Sequence, residues 1–470
     1  MGERGAARDG APHYEVLYLH GLPGSTSSHD MLLPLALIIP LVTGHTPAPG
    51  LPVKSPASVG MSAKRLESID HIVARGVRAG SYPGAAVVVG RKGAAVWMKG
   101  FGRIAYGKKA PAVDPRETIY DLASLTKVVG TTTAVMLLYD EGRIDLDAPV
   151  HDYLPEFTGG GKDLVTVRML LEHRSGLPAD RDIWKMAHTP VAARAAVLDV
   201  PLTCPPGDCY IYSDLGAIIV GMIVERVTGL GLDVYLHERV FAPLGMTHTF
   251  FRPADSLRRE VAPTAISPEG GQMVRGVVHD ENAWALGGVA GHAGLFSTAS
   301  DLAVFAQMLL NGGVYDGVRI VSDSTVRLFT TRAAGSRALG WAMADGQWGS
   351  GRYLSDGSFG HVGFTGTSIW IDPSRELFVI LLTNRVYTPK VRGSFKAIAD
   401  VRADLADAAA IAVTDDPDQM LAMPNTFRSD VRRGWNPRAP RRHHAHHSTR
   451  SRSGAAKKNA SVKKATVTGR

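Results

Sequence analysis

Cysteine is almost absent from this sequence: of 470 residues only Cys204 and Cys209 carry a thiol. A C-x4-C pair with no further Cys or nearby His makes a poor zinc site. In an exported chain the two could close the Pro205–Asp208 turn as a disulfide; in a reducing compartment they would stay free thiols. A phosphate loop, a dinucleotide fingerprint and metal-ligand spacing are also missing, so no cofactor and no metal are expected. His20-Gly-Leu-Pro-Gly24 looks like the oxyanion turn of an α/β-hydrolase, but that fold needs a G-x-S-x-G elbow downstream and the chain has none. The apolar run Met31–Val42 is too short to span a bilayer comfortably and is interrupted by Pro34 and Pro40. Its length suits the h-region of a secretory signal, although thirty residues precede it without a basic cluster just before it. Residues 1–50 therefore read as a leader, and export to the periplasm or another extracytoplasmic space is expected.

Acidity is scarce at one end only. The formal charge is +8, yet twelve Lys and Arg against a single acid lie from Asp430 onward, which leaves the rest slightly acidic. That placement argues against a nucleic-acid-binding domain. Residues 430–470 hold almost no large apolar side chain after Trp435, so a solvated disordered tail is expected, with at most a weak contact to an anionic surface. The His443–His447 cluster in that tail offers a metal no fixed geometry.

What remains, with 45% hydrophobic and 20% charged residues overall, has the texture of a soluble globular domain over residues 58–412. Ala85–Gly90 and Ala94–Met98 read as two strands around a turn, and Ser368–Asp372 with Leu377–Leu382 as a second hairpin. Helices are expected over Val128–Leu138, Val167–His173 with Thr166 as cap, Leu215–Val227, Leu302–Leu310 capped by Ser300 or Asp301, and Ser394–Ala412. Strands at both ends with helices between predict an α/β domain in which an antiparallel sheet is built from both termini and the middle forms a helical lobe. A site is expected in the cleft between the two.

Ser124-Leu-Thr-Lys127 is an S-x-x-K, and on a helix residues three apart share a face, bringing the hydroxyl within reach of the amine. The helix start adds N–H donors for developing negative charge, and a Lys that sheds its proton could activate the hydroxyl. About one such match occurs by chance in a chain this long; Ser461-Val-Lys-Lys464 in the tail is one without context. Ser124 differs in opening a long apolar segment. Tyr212-Ser-Asp214 then precedes another apolar helix, and His361-Val-Gly363 precedes Phe364 on an expected edge strand.

With these three ordered motifs the chain resembles the serine β-lactamase and penicillin-binding-protein superfamily, especially its class C-like, esterase-like branch. The resemblance runs from about Ser58 to Asn384 and includes Leu170–Pro178, Phe241–Met246, Val278–Ala283, Gly291–Phe296 and Leu381–Asn384. It implies a β-lactamase/transpeptidase-like fold and a serine hydrolase working through an acyl-enzyme. It also implies roles: Ser124 as nucleophile, Lys127 assisting its deprotonation, Tyr212 as proton shuttle, and the N–H groups of Ser124 and Phe364 as oxyanion hole. Asp214, His361 and Gly363 would contact substrate. His292-Ala-Gly294, a second H-x-G, reads as a loop at the cleft wall.

Two departures bear on substrate. His361 replaces the Lys usual in β-lactamases and should titrate near neutrality, holding a substrate carboxylate less firmly. Asp214 replaces the usual Asn; ionised, it only accepts hydrogen bonds, and beside Lys127 it should raise the amine's pKa and shift base work to Tyr212. Both argue against an efficient β-lactamase. The expected substrates are cell-wall D-amino-acyl peptides, as for a D-alanyl-D-alanine carboxypeptidase, or esters. The alternatives are a broad esterase, a weak β-lactamase, or a non-catalytic penicillin- or muropeptide-binding protein. His279, Asp280 and Glu281 are expected to serve loop hydrogen bonding, His173 to meet helix-terminal carbonyls, and Trp341 and Trp348 either to pack a loop or to wall the substrate.

Overall fold

The computed structural model describes residues 50–266, 273–346, 349–387, 395–415 and 420–431. The signal-like segment, the tail from residue 432 with its His cluster, and Trp348 lie outside the described residues.

Ser68–Arg78 forms helix α1, with Ile69, Ile72 and Val73 recurring at helical spacing on its buried face. The first hairpin is β1 (Gly84–Arg91) and β2 (Ala94–Gly102). Ser124 sits in a 3-10 turn, Ala123–Leu125, which runs into a π-helical stretch, Lys127–Thr132, and then α2, Thr133–Asp140. Such π stretches are frequent at functional sites. Thr166 caps α3 (Val167–Leu171) as expected, its hydroxyl accepting from the Met169 N–H at 3.2 Å. Helix α4 spans Asp214–Thr228 behind its Ser213 cap, and α5 spans Glu281–Ala285 behind Asp280.

Helix α6, Ala299–Leu310, corrects one expectation. Its cap is Thr298, not Ser300 or Asp301, because the Thr298 hydroxyl accepts the Asp301 N–H, while the Asp301 carboxylate turns away to the His248 N–H and Thr249 hydroxyl. The remaining labelled elements are β3 (Ala342–Met343), β4 (Phe359–Val362), β5 (Ser368–Asp372), β6 (Leu377–Thr383) and α7 (Phe395–Ile411).

One six-stranded sheet has the order β3-β4-β5-β6-β1-β2, with every neighbouring pair antiparallel. The two ends of the domain meet where Val88 of β1 lies opposite Ile380 of β6. Strand period then sorts the side chains. Val88, Ile380 and Leu382 face the core shared with the helical lobe; Val87, Val89, Val379 and Leu381 face α1 and α7. Covered on both faces, β6 is a continuous apolar run, and each such side chain taken from water contributes about 1.5–3 kcal/mol. Strand β4 is not at the edge as expected, since β3 lies outside it. However, β3 pairs only with Phe359 and Gly360, so His361 and Val362 have a strand partner on one side alone.

Candidate active site

The segment leading to Ser124 is held by a buried acid. Ala123 takes the left-handed conformation at φ 47°, which a residue with a Cβ adopts only at a cost of about 1–3 kcal/mol. One oxygen of Asp121 accepts the Ala123 N–H at 2.8 Å and the other the His279 N–H at 2.7 Å. Burial raises the Asp121 pKa, and those two N–H bonds work against it. No sequence signal had singled out Asp121.

Lys127 is buried beneath the serine. Its Nζ donates to Ser124 Oγ at 3.0 Å and to the His292 carbonyl at 3.2 Å, pairs with Asp214 Oδ1 at 2.6 Å, and lies 5.0 Å from the centre of the Tyr212 ring. Burial alone would push the amine down, but Asp214 and Tyr212 together outweigh it and hold its pKa above the ordinary lysine value. The amine is therefore a cation that donates to Oγ.

Tyr212 stands between two histidines, with ring centres 4.6 Å from His173 and 5.9 Å from His361. His173 does not serve helix-terminal carbonyls as expected. It leaves the helix in the left-handed conformation at φ 58°, is buried, and its Nδ1 accepts the Ser213 N–H at 3.1 Å. That bond fixes the backbone next to Tyr212. Burial, then Arg337 and Lys127, drive the His173 pKa well below the usual imidazole value, so its ring is neutral. The Cys204–Cys209 pair, bonded with Cα atoms 6.5 Å apart, braces the same corner: the Gly207 N–H donates to the Arg174 carbonyl and the Ile211 N–H to that of His173.

His361 corrects another expectation. It does not titrate near neutrality, because burial, Arg337 and Lys127 push its pKa well down, and its Nδ1 donates to the Val362 carbonyl at 2.9 Å. Gly363 shows why that position lacks a side chain: a Cβ there would come within 2.4 Å of the Leu122 carbonyl oxygen. This close approach brings the turn bearing Phe364 against the segment bearing Ser124. Arg402 of α7 ties the turn from behind, donating to the carbonyls of Gly363 at 2.6 Å and Thr367 at 2.8 Å.

Asp280 does more than loop bonding. It pairs with buried His292 at 2.8 Å; burial opposes both charges, but the pairing lowers the acid's pKa and raises that of the imidazole. His279 stacks on Phe364 with ring centres 5.6 Å apart. Trp341 packs the core edge-on to Phe359 and does not line the site. Ser124, Tyr212, Asp214, His361, Gly363 and Phe364 all line one cavity of about 670 Å³. Arg337, which the sequence reading passed over, lines it too. Among the described residues no cluster of three or more His, Cys, Asp or Glu is placed to hold a metal.

Against known proteins, a family model described as Beta-lactamase matches residues 69–403. The N-acetylmuramyl-L-alanine amidase of Bacillus subtilis is 33% identical over 374 residues, covering 70% of this chain and 83% of that protein. An Escherichia coli K12 protein provisionally named D-alanyl-D-alanine carboxypeptidase is 32% identical over 381 residues, covering 73% and 87%. Among solved structures, a penicillin-binding protein homologue from Caulobacter crescentus superposes with a TM-score of 0.59 at 23% identity, covering 74% of this chain and 99% of that one.

Proposed function

The chain belongs to the β-lactamase family and is a serine hydrolase, and from that premise we propose that it cleaves cell-wall peptides at a D-amino-acyl bond through an acyl-enzyme on Ser124. The observation that carries the reading is the Ser124 Oγ held at 3.0 Å by a Lys127 cation that is itself clamped by Asp214. A charged Lys127 cannot take the serine proton. Tyr212, against that amine, is the group left to relay it, its hydroxyl oxygen accepting the Oγ proton as Oγ attacks the carbonyl while its own proton passes to the leaving amine. Lys127 steadies the oxygen being deprotonated, and the N–H groups of Ser124 and Phe364 receive the oxyanion. Water then reverses the proton path and frees the acid product. A substrate of this class lies outside the cytoplasm, which agrees with export through the Met31–Val42 segment.

The relatives' names separate two bonds, one between D-alanines and one between a muramyl group and L-alanine. Incubating the protein with a pentapeptide stem and with its muramyl form, and assaying released D-alanine against released L-alanyl peptide, decides between them. Intact-mass measurement should show one acyl or fluorophosphonate adduct on the native protein and none on Ser124→Ala. An adduct that persists in the variant sinks the assignment of the nucleophile.

A further inference from the structure

Just ahead of Tyr212 the chain carries a covalent bond that the hydrolytic reaction does not use. Cys204 and Cys209 are joined across the turn between them, and both side chains are half-buried, so solvent reaches the bond. The strip on either side of this turn is fastened to one neighbour, the backbone of residues 173–176. Before the turn, the Thr203 N–H donates to the Gly176 carbonyl at 2.8 Å. Inside it, the Gly207 N–H donates to the Arg174 carbonyl at 2.8 Å, and beyond it the Ile211 N–H donates to that of His173 at 2.9 Å. The seating is close: a Cβ on Gly176 would lie 2.1 Å from the Cys204 carbonyl oxygen.

What the bond governs is local. It spans a sequence separation of only 5, and a disulfide stabilises a fold less the shorter the loop it closes. Both cysteines also stand outside the two apolar cores, which the sheet and the helices build without them. The residues directly beyond Cys209 are those of the site. The Tyr210 hydroxyl accepts from Arg337 Nε at 2.8 Å, and the Tyr212 ring centre lies 4.6 Å from that of His173 and 5.0 Å from Lys127 Nζ. Opening the bond lets the two ends of the strip move apart, and Tyr212 with them, while the cores stay closed.

We propose that the Cys204–Cys209 pair is a redox-controlled positioning device for Tyr212. Bonded, it holds the phenol against Lys127; as two thiols, it releases the strip and slows proton relay. This rests on the acyl-transfer reading above, in which Tyr212 relays the proton. The co-reactant is a dithiol. One of its sulfurs attacks a cysteine sulfur to give a mixed disulfide, and its second sulfur then displaces that cysteine. Two electrons and two protons pass to the pair, and the dithiol becomes a disulfide. A reducing compartment therefore keeps the hydrolase slow, and an oxidising one switches it on.

The test compares native, dithiothreitol-reduced and reoxidised protein on a neutral activated ester, with iodoacetamide labelling and intact mass counting the thiols. Dithiothreitol should open both thiols in the folded protein and lower kcat roughly 10- to 100-fold, the scale of a displaced proton-transfer group. KM and the urea midpoint should stay close to the native values, and reoxidation should restore kcat. The double variant Cys204→Ser, Cys209→Ser should start at the reduced rate and ignore dithiothreitol. Thiols that label before reduction, or a bond that dithiothreitol leaves closed, overturn the proposal. So do full kcat in the reduced protein or the double variant, and a fall in the urea midpoint that accounts for the lost activity. A rise in KM at unchanged kcat overturns it too, since that marks a reshaped pocket rather than a displaced Tyr212. Failure of the hydrolase reading is seen separately, as no adduct on Ser124 in the oxidised protein with the same ester, and it sinks both.

Discussion

Asp214, where the family usually has Asn, bears on the protonation of Lys127. A carboxylate 2.6 Å from Lys127 raises the amine's pKa against the opposing effect of burial. Removing it in Asp214→Asn leaves burial countered by Tyr212 alone, so the amine's pKa falls. Because the charged form is the one that donates to Ser124, the alkaline limb of the kcat/KM profile should move to lower pH by about one to three units. A limb that stays in place, or activity that rises at high pH, means that neutral Lys127 is the base after all. The acid's effect on Lys127 follows from residue types and adjacency and was legible in the sequence. The neutrality of His361 was not, because it depends on burial and on Arg337, which stands 24 positions away in the chain.

At the scale of elements, the sheet and the C-terminal helix hold the site together. Strand β4 and the turn after it carry His361, Gly363 and Phe364, and α7 reaches that turn through Arg402. Arg402→Met takes the charged donor from the Gly363 and Thr367 carbonyls, which keep the backbone N–H groups of Gly366 and Gly363, an expected loss of about 1.5–3 kcal/mol in urea unfolding. The turn then shifts relative to Ser124, so kcat should fall alongside. Unchanged stability removes Arg402 from this role. Element existence was read well from apolar period and caps, as at α3, α4 and β6, because those signals are local. The cap of α6 was misread because Asp301 was drawn to His248 and Thr249, a tertiary contact that no local rule contains.

At the scale of the whole molecule, the family match ends at residue 403 and the basic charge lies beyond it. We propose that the two are separable. Deleting residues 432–470 should abolish retention on anionic vesicles at low salt, at about 1 kcal/mol per basic residue near the surface, while leaving kcat/KM on a neutral ester unchanged. Salt-insensitive retention, or retention by the truncated protein, counts against the tail as the attachment. The sequence by itself determined the order of the motifs, the two-ended sheet and the approach of Lys127 to Ser124, because each rests on period, spacing or residue chemistry carried within a few positions. Only the tertiary structure decided the electrostatics around them. Burial and proximity bring His173, Arg337 and Arg402 to the cleft from three distant segments, and charges interact through space rather than along the chain.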